Sequence, residues 1–169
     1  AKVHQNLGKE IKPGMSTLDI DRLGEEMIRS FGCIPSFKNY CGYPASICVS
    51  ANDEVVHGIP TDKRIIEEGD IVSLDAGVIY KGYHSDAART VAVGEVSEEA
   101  RLLIERTRQS FFEGMKMATA GKHLHDISRN LDTELSVICV DTESEATFTK
   151  NRRFRISDSG AEDRSFAQE

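Results

Sequence analysis

Two carboxylates in one short hairpin are the residues of this chain best placed to do chemistry: Asp75 in Ile71-Val-Ser-Leu-Asp-Ala-Gly77 and Asp86 in Tyr83-His-Ser-Asp-Ala-Ala88. The stretch 71–93 predicts two strands that turn near Tyr80-Lys81-Gly82. With Tyr80 and Lys81 at the centre of the turn, position 75 faces position 86. With Lys81 and Gly82 there, 75 faces 88 and lies diagonal to 86. Side chains alternate between faces along a strand, so either register brings both aspartates to one face and within reach of each other. Ser73, Gly77, His84 and Ala88 share that face and are small or polar. Adjacent carboxylates repel, which raises one pKa, and a bound cation offsets that cost. Oxygen donors with one imidazole suit Mn, Fe, Co or Zn in a hydrolytic site better than a structural zinc. The plainer reading is a pair of exposed hairpin carboxylates. His57 is equally open, since a lone histidine at a strand end before Gly58-Ile-Pro60 is often structural.

The elements that must hold these residues are legible around them. Ala1 to Ile11 predicts the end of a helix, broken by Lys12-Pro-Gly-Met15. Ser16 caps a second helix, with Asp19 completing a capping-box variant. Ile20, Leu23, Met27, Ile28 and Phe31 give it an apolar stripe, and Gly32 stops it. An aromatic, glycine-containing loop follows over Pro35–Pro44, then short β-type runs at Ile47–Val49 and Val55–Val56 and a turn region at Thr61–Gly69. After the hairpin, Ser97 caps a longer helix with apolar positions at Ala100, Leu103, Ile104, Thr107, Phe111 and Met115. Gly121 is its expected end, and another helix begins at Leu124–Arg129.

A length of 169 residues fits one domain with a real core, and 39% hydrophobic with 29% charged residues is a globular composition. The net charge of −7 argues against a general nucleic-acid binder, because phosphate contacts need clustered Lys and Arg. No apolar run is long enough for a membrane span, and the first residues lack the apolar centre of a signal peptide. Cys33, Cys41, Cys48 and Cys139 form no Cys-x-x-Cys pair, which points to reduced thiols in a cytoplasmic protein. From Asp141 onward charged residues exceed the chain average and the few large apolar ones follow no period. That composition predicts a disordered tail.

Five segments together resemble the type I methionine aminopeptidases of bacteria: Pro35-Ser-Phe-Lys-Asn-Tyr40, Gly42-Tyr-Pro-Ala-Ser-Ile-Cys48, Asn52-Asp-Glu-Val-Val-His-Gly-Ile-Pro60, Glu68-Gly-Asp-Ile-Val-Ser-Leu-Asp75 and Gly82-Tyr-His-Ser-Asp-Ala-Ala-Arg-Thr90. The resemblance runs to about Arg129 and implies a partial catalytic domain over 1–130. It implies an α/β fold: the first half of the duplicated "pita-bread" aminopeptidase fold, a curved antiparallel sheet with helices outside. It also implies that Asp75 and Asp86 are two of five ligands to a pair of divalent metal ions (Co, Mn, Fe or Zn). By the same resemblance His57 contacts substrate near the scissile amide, and Tyr40, Tyr43 and Cys48 line the pocket for the methionine side chain. The implied activity is removal of the N-terminal methionine from nascent polypeptides by metal-assisted hydrolysis. Two alternatives stand beside it: a proline-directed aminopeptidase using the same pair of metals, and a non-catalytic binding fragment of the same fold.

The resemblance stops abruptly. The family supplies one more His and two Glu ligands and a second catalytic His downstream, within Gly-His-Gly-Ile-Gly and His-Glu-x-Pro motifs. Neither motif occurs here, and the later histidines, His123 and His125, match neither context. The genetic code suggests a reason. Codons for Val140 to Glu145, read one base earlier, permit Gly-His-Gly-Ile-Gly. The same register through Thr147 to Ser157 permits Leu-His-Glu-Glu-Pro-Glu-Val-Pro-Asn-Phe, and Leu135 to Val140 permits Val-Val-Arg-Asp-Leu-Cys. Segment 131–169 is therefore expected to be an out-of-frame, non-homologous tail, with the break near Ser128–Asn130. An incomplete ligand set implies an inactive or severely impaired enzyme.

Overall fold

The computed structural model describes residues 1–129, and the expectations for segment 131–169 lie outside them. The described residues fall into two units, the first spanning 1–104 and the second beginning at Glu105. In the first, helices α1 (Lys2–Glu10) and α2 (Thr17–Ser30) precede four strands: β1 (Ile34–Pro35), β2 (Cys48–Ala51), β3 (Ile71–Tyr80) and β4 (Tyr83–Ala92). Helix α3 (Glu98–Met115) follows and runs into the second unit, where a further helical stretch begins at Leu124.

α2 starts where its sequence says it must. Ser16 Oγ accepts the Asp19 N–H at 3.1 Å, and Asp19 Oδ2 accepts the Ser16 N–H at 3.0 Å. This reciprocal box satisfies two of the helix's free donors. The residues before it are zipped to the 61–66 segment, with Gly14 N–H donating to the Ile66 carbonyl and Thr17 N–H to that of Arg64. Ile20 and Ile28 are fully buried, whereas Phe31 is 40% exposed: the chain turns away at Gly32, which has a positive φ, and takes Phe31 off the buried face.

β3 is the central strand, antiparallel to all three others. β4 pairs along one edge over its full length, and β1 and β2 pair with separate parts of the other. Tyr80 faces Tyr83, so Lys81 and Gly82 are the central turn residues, and both carry positive φ. That geometry matches the right-handed twist of the strands and selects the second of the two registers. Val72, Leu74, Ala76 and Val91 turn inward, where Leu7 of α1, Ile20 and Ile28 of α2, and Ile47, Val49 and Ile66 complete the core. The opposite face carries the aspartates. Strand and helix periodicities thus agree on a single inside, which an α/β layer fold requires.

The Val55–Val56 run is not a strand. β2 ends at Ala51, and both valines are exposed, at 64% and 65%. The cause is Asn52, which has a positive φ, donates through its side chain to Asp70 and accepts the Ile71 N–H. Those bonds redirect the chain before the valines can pair. α3 ends at Met115, short of Gly121.

Candidate functional site

The hairpin register fixes where each carboxylate stands. Asp75 lies opposite Cys48 on one side and Ala88 on the other, and Asp86 lies opposite Gly77. The two aspartates are therefore diagonal neighbours on one face. Burial, the negative charge of Asp86 and a hydrogen bond between the two carboxyls all push the Asp75 pKa up, while His57 pulls it down. Burial first, and the neighbouring carboxylate second, thus disfavour the charged form of Asp75.

His57 reaches this neighbourhood through its own backbone. It has a positive φ and is exposed, and Gly58 after it is laid against β2. Gly58 accepts the Val49 N–H at 3.0 Å and donates to Ser50 Oγ at 3.0 Å. A Cβ on residue 58 would stand 2.3 Å from the Val49 carbonyl oxygen, so only glycine permits the approach. Gly77 plays the same part on the aspartate face: a Cβ there would meet Ser36 Oγ at 2.1 Å and the Phe37 ring at 2.6 Å.

Tyr43 and Cys48 join the same cluster. The Tyr43 hydroxyl donates to the Ile47 carbonyl at 3.1 Å. Burial and the adjacent Cys48 raise the Tyr43 pKa far above its ordinary value. Cys48 is buried, and burial pushes its thiol up, Tyr43 opposing and Asp75 and Asp86 adding to the shift. A thiol so held is a packing group, not a nucleophile. Tyr40 stands apart, 59% exposed in a short helical turn (Tyr40–Gly42), and no hydrogen bond among the described residues ties its ring to the cluster. Cys33, Cys41 and Cys48 are free thiols.

Two residues that the sequence reading passed over hold the loop in place. Asp21 Oδ1 accepts the Ser46 and Ile47 N–H groups at 2.8 and 2.9 Å. One turn on, Glu25 accepts Ser46 Oγ at 2.8 Å, Lys38 Nζ at 2.6 Å and Arg29 Nε at 2.8 Å. Lys38 first, then Ser46 and Arg29, hold the Glu25 carboxyl down to about 2. The signal was present: Asp21 falls on the face of α2 shared by Thr17, Gly24 and Ile28, all buried. A charge on an apolar stripe marks a partner that the stripe itself does not reveal.

A pair of hard oxygen donors fits part of the shell of a divalent cation. Among the described residues, no three His, Cys, Asp or Glu side chains converge on a metal site. The fit is partial, and no chemical step can be drawn through a metal from these residues alone.

An antiparallel sheet backed by helices, with a carboxylate pair on its open face, is the frame of a metallopeptidase of the pita-bread class. The family model for metallopeptidase family M24 matches residues 1–136, and the chain belongs to that family. A methionine aminopeptidase of Clostridium acetobutylicum is 54% identical over 125 residues, covering 74% of this chain and 50% of that protein. Methionine aminopeptidase 1 of Bacillus subtilis is 45% identical, covering 79% of this chain and 53% of the other. The crystal structure of methionine aminopeptidase from Thermotoga maritima superposes with a TM-score of 0.78 at 36% identity, over 81% of this chain and 55% of that one. The chain spans about half the length of the curated relatives it matches.

Proposed function

We propose that this chain is the N-terminal part of a metal-dependent methionine aminopeptidase that acts on the N-terminal methionine of nascent polypeptides in the cytoplasm. The observation that supports this best is the Asp75–Asp86 dyad, set diagonally on one sheet face with Cys48 opposite Asp75 and Tyr43 beside it. In this reading Asp75 and Asp86 are metal ligands, His57 contacts the substrate, and Tyr40, Tyr43 and Cys48 line an apolar pocket for an unbranched thioether. Asp75 and Asp86 would hold divalent metal of the Co, Mn, Fe or Zn class, which when bound would supply Lewis-acid chemistry for amide hydrolysis. The relatives at 45–54% identity are named methionine aminopeptidases, which disfavours a proline-directed enzyme. Among the described residues no helix is long and apolar enough to cross a membrane.

As the sequence stands, the ligand set is incomplete, so the chain holds metal weakly and turns over slowly or not at all. The proposed cause is the out-of-frame segment after about residue 130. Titration with Mn²⁺ or Co²⁺, coupled to an assay on a Met-Ala peptide, tests both parts. Weak binding that Asp75→Asn abolishes, with no turnover, is the expected result. Chelator-sensitive turnover would refute the impairment, and metal-independent binding of a protein partner would favour a non-catalytic fragment. The gene sequence decides the origin: if the codons for Asp141–Glu145 cannot encode Gly-His-Gly-Ile-Gly in the shifted frame, that explanation fails.

A further inference from the structure

We propose that Asp21, a residue of α2 outside the metal and pocket set, is a positioning residue that fixes the pocket wall against the carboxylate dyad. Its part in side-chain selection rests on the aminopeptidase reading; its part in positioning does not.

The Ser46–Ile47 stretch is gripped from two sides. Its neighbouring N–H groups, those of Ser46 and Ile47, both donate to one oxygen of Asp21. The Ile47 carbonyl accepts the Tyr43 hydroxyl. The next residue is Cys48, the first of β2 and the direct partner of Asp75. Whatever sets the position of the Ser46–Ile47 peptide therefore sets Tyr43 and Cys48 relative to the dyad. Ser46 and Ile47 are fully buried, so their amides have no water to fall back on.

A carboxylate is a costly way to satisfy two amides. Asp21 is only 6% exposed, and burial pushes its pKa up against the opposing pull of those two amides. Glu25 adds a second hold from the same helix face, through Ser46 Oγ and Lys38. α2 is itself locked to the core by Gly24, whose absent Cβ would stand 2.9 Å from Ile47 Cδ1. The clasp is thus built on a rigid element, which a precisely held site needs. Both amides use the same Asp21 oxygen, so an asparagine can reproduce the contact and an alanine cannot.

Amide hydrogen exchange on the full 169-residue chain tests the positioning. In Asp21→Ala the Ser46 and Ile47 amides are expected to exchange at least about tenfold faster, while Leu74 and Val91 in the hairpin keep their protection. Asp21→Asn should restore Ser46 and Ile47 to within about threefold of the parent. Uniform loss of protection across the core, or no change at Ser46 and Ile47, overturns the proposal. Should Asp21→Ala fail to fold, Asp21→Glu decides: one added methylene should displace the Cys48 and Tyr43 resonances and leave Lys81 and Gly82 unmoved. Unmoved Cys48 and Tyr43 count against it. Titration with L-methionine amide in the presence of Mn²⁺ addresses selection. No binding by the parent chain defeats the selection claim for this chain without touching the aminopeptidase reading, which already expects weak metal binding, and leaves the exchange result to decide the positioning role. If the parent binds, weakening in Asp21→Ala with recovery in Asp21→Asn supports the proposal, and equal binding by all three defeats it.

Discussion

Asp75 and Asp86 are held closer than two carboxylates would choose, and this has a measurable cost at neutral pH. Because the folded-state pKa of Asp75 is raised, ionising it weakens the fold as pH climbs above the ordinary value of 3.8; below that value the penalty is absent. Asp86→Asn should therefore stabilise the metal-free chain by about 1 kcal/mol at pH 7, the order of a like-charge repulsion at close range in a wet site. Denaturant melts at pH 7 and pH 3 check this, and an equal gain at both would show that charge is not the cause. Glu25 has the opposite sign. Its carboxyl is lowered from 4.5 to about 2, so its contribution is complete above pH 4.5 and lost as pH falls towards 2. With its side chain 19% exposed, that contribution is on the order of 2 kcal/mol. The stability gap between the parent and Glu25→Gln should narrow over that window. The dyad was legible because a period of 2 leaves few arrangements for two aspartates in one hairpin. Asp21 and Glu25 were not, because the loop residues they hold, Ser46 and Ile47, lie 21 to 26 positions away and no local pattern records a loop amide needing an acceptor.

At the level of elements, the hairpin, the capped helix and the buried stripe follow from local rules that agree with one another, so these were readable in advance. The register was readable only to within two choices. Lys81 and Gly82 settle it, since both adopt positive φ in a two-residue turn. The Val55–Val56 run misleads because β-propensity describes what fits a pleated surface, and Asn52 has already turned the chain away from that surface. The segment that follows is held to β2 through the backbone of Gly58, which accepts the Val49 N–H and donates to Ser50 Oγ. Gly58→Ala should destabilise the chain by about 2 kcal/mol, a typical penalty for forcing a methyl into packed backbone. It should also release His57, visible as a change in the His57 ring resonances. A silent substitution would mean that the 2.3 Å approach to the Val49 carbonyl is readily relaxed.

At the level of the whole molecule, many large apolar side chains among the described residues are exposed. In the first unit Ile34, Tyr83, Leu102 and Leu103 are 57%, 81%, 40% and 45% exposed. In the second, Phe111, Phe112 and Met115 are 53%, 53% and 45% exposed. The spacing of α3 marks Ala100, Leu103, Ile104, Thr107, Phe111 and Met115 as its apolar face, yet Ser110 and Gly114 are its buried residues and Leu103, Phe111 and Met115 are exposed. Periodicity reveals that a stripe exists, but not what covers it. The relatives are about twice as long as the part matched here. The expected consequence is association driven by that surface. Sedimentation at tens of micromolar should show mass rising with concentration, and a hydrophobic dye should bind the native chain. Phe111→Glu with Phe112→Lys should lower the association by roughly tenfold or more, because two rings of this size carry much of the burial any partner could gain. A monomer at all concentrations, melting cooperatively at high temperature, would instead mean that the chain is self-sufficient as it stands.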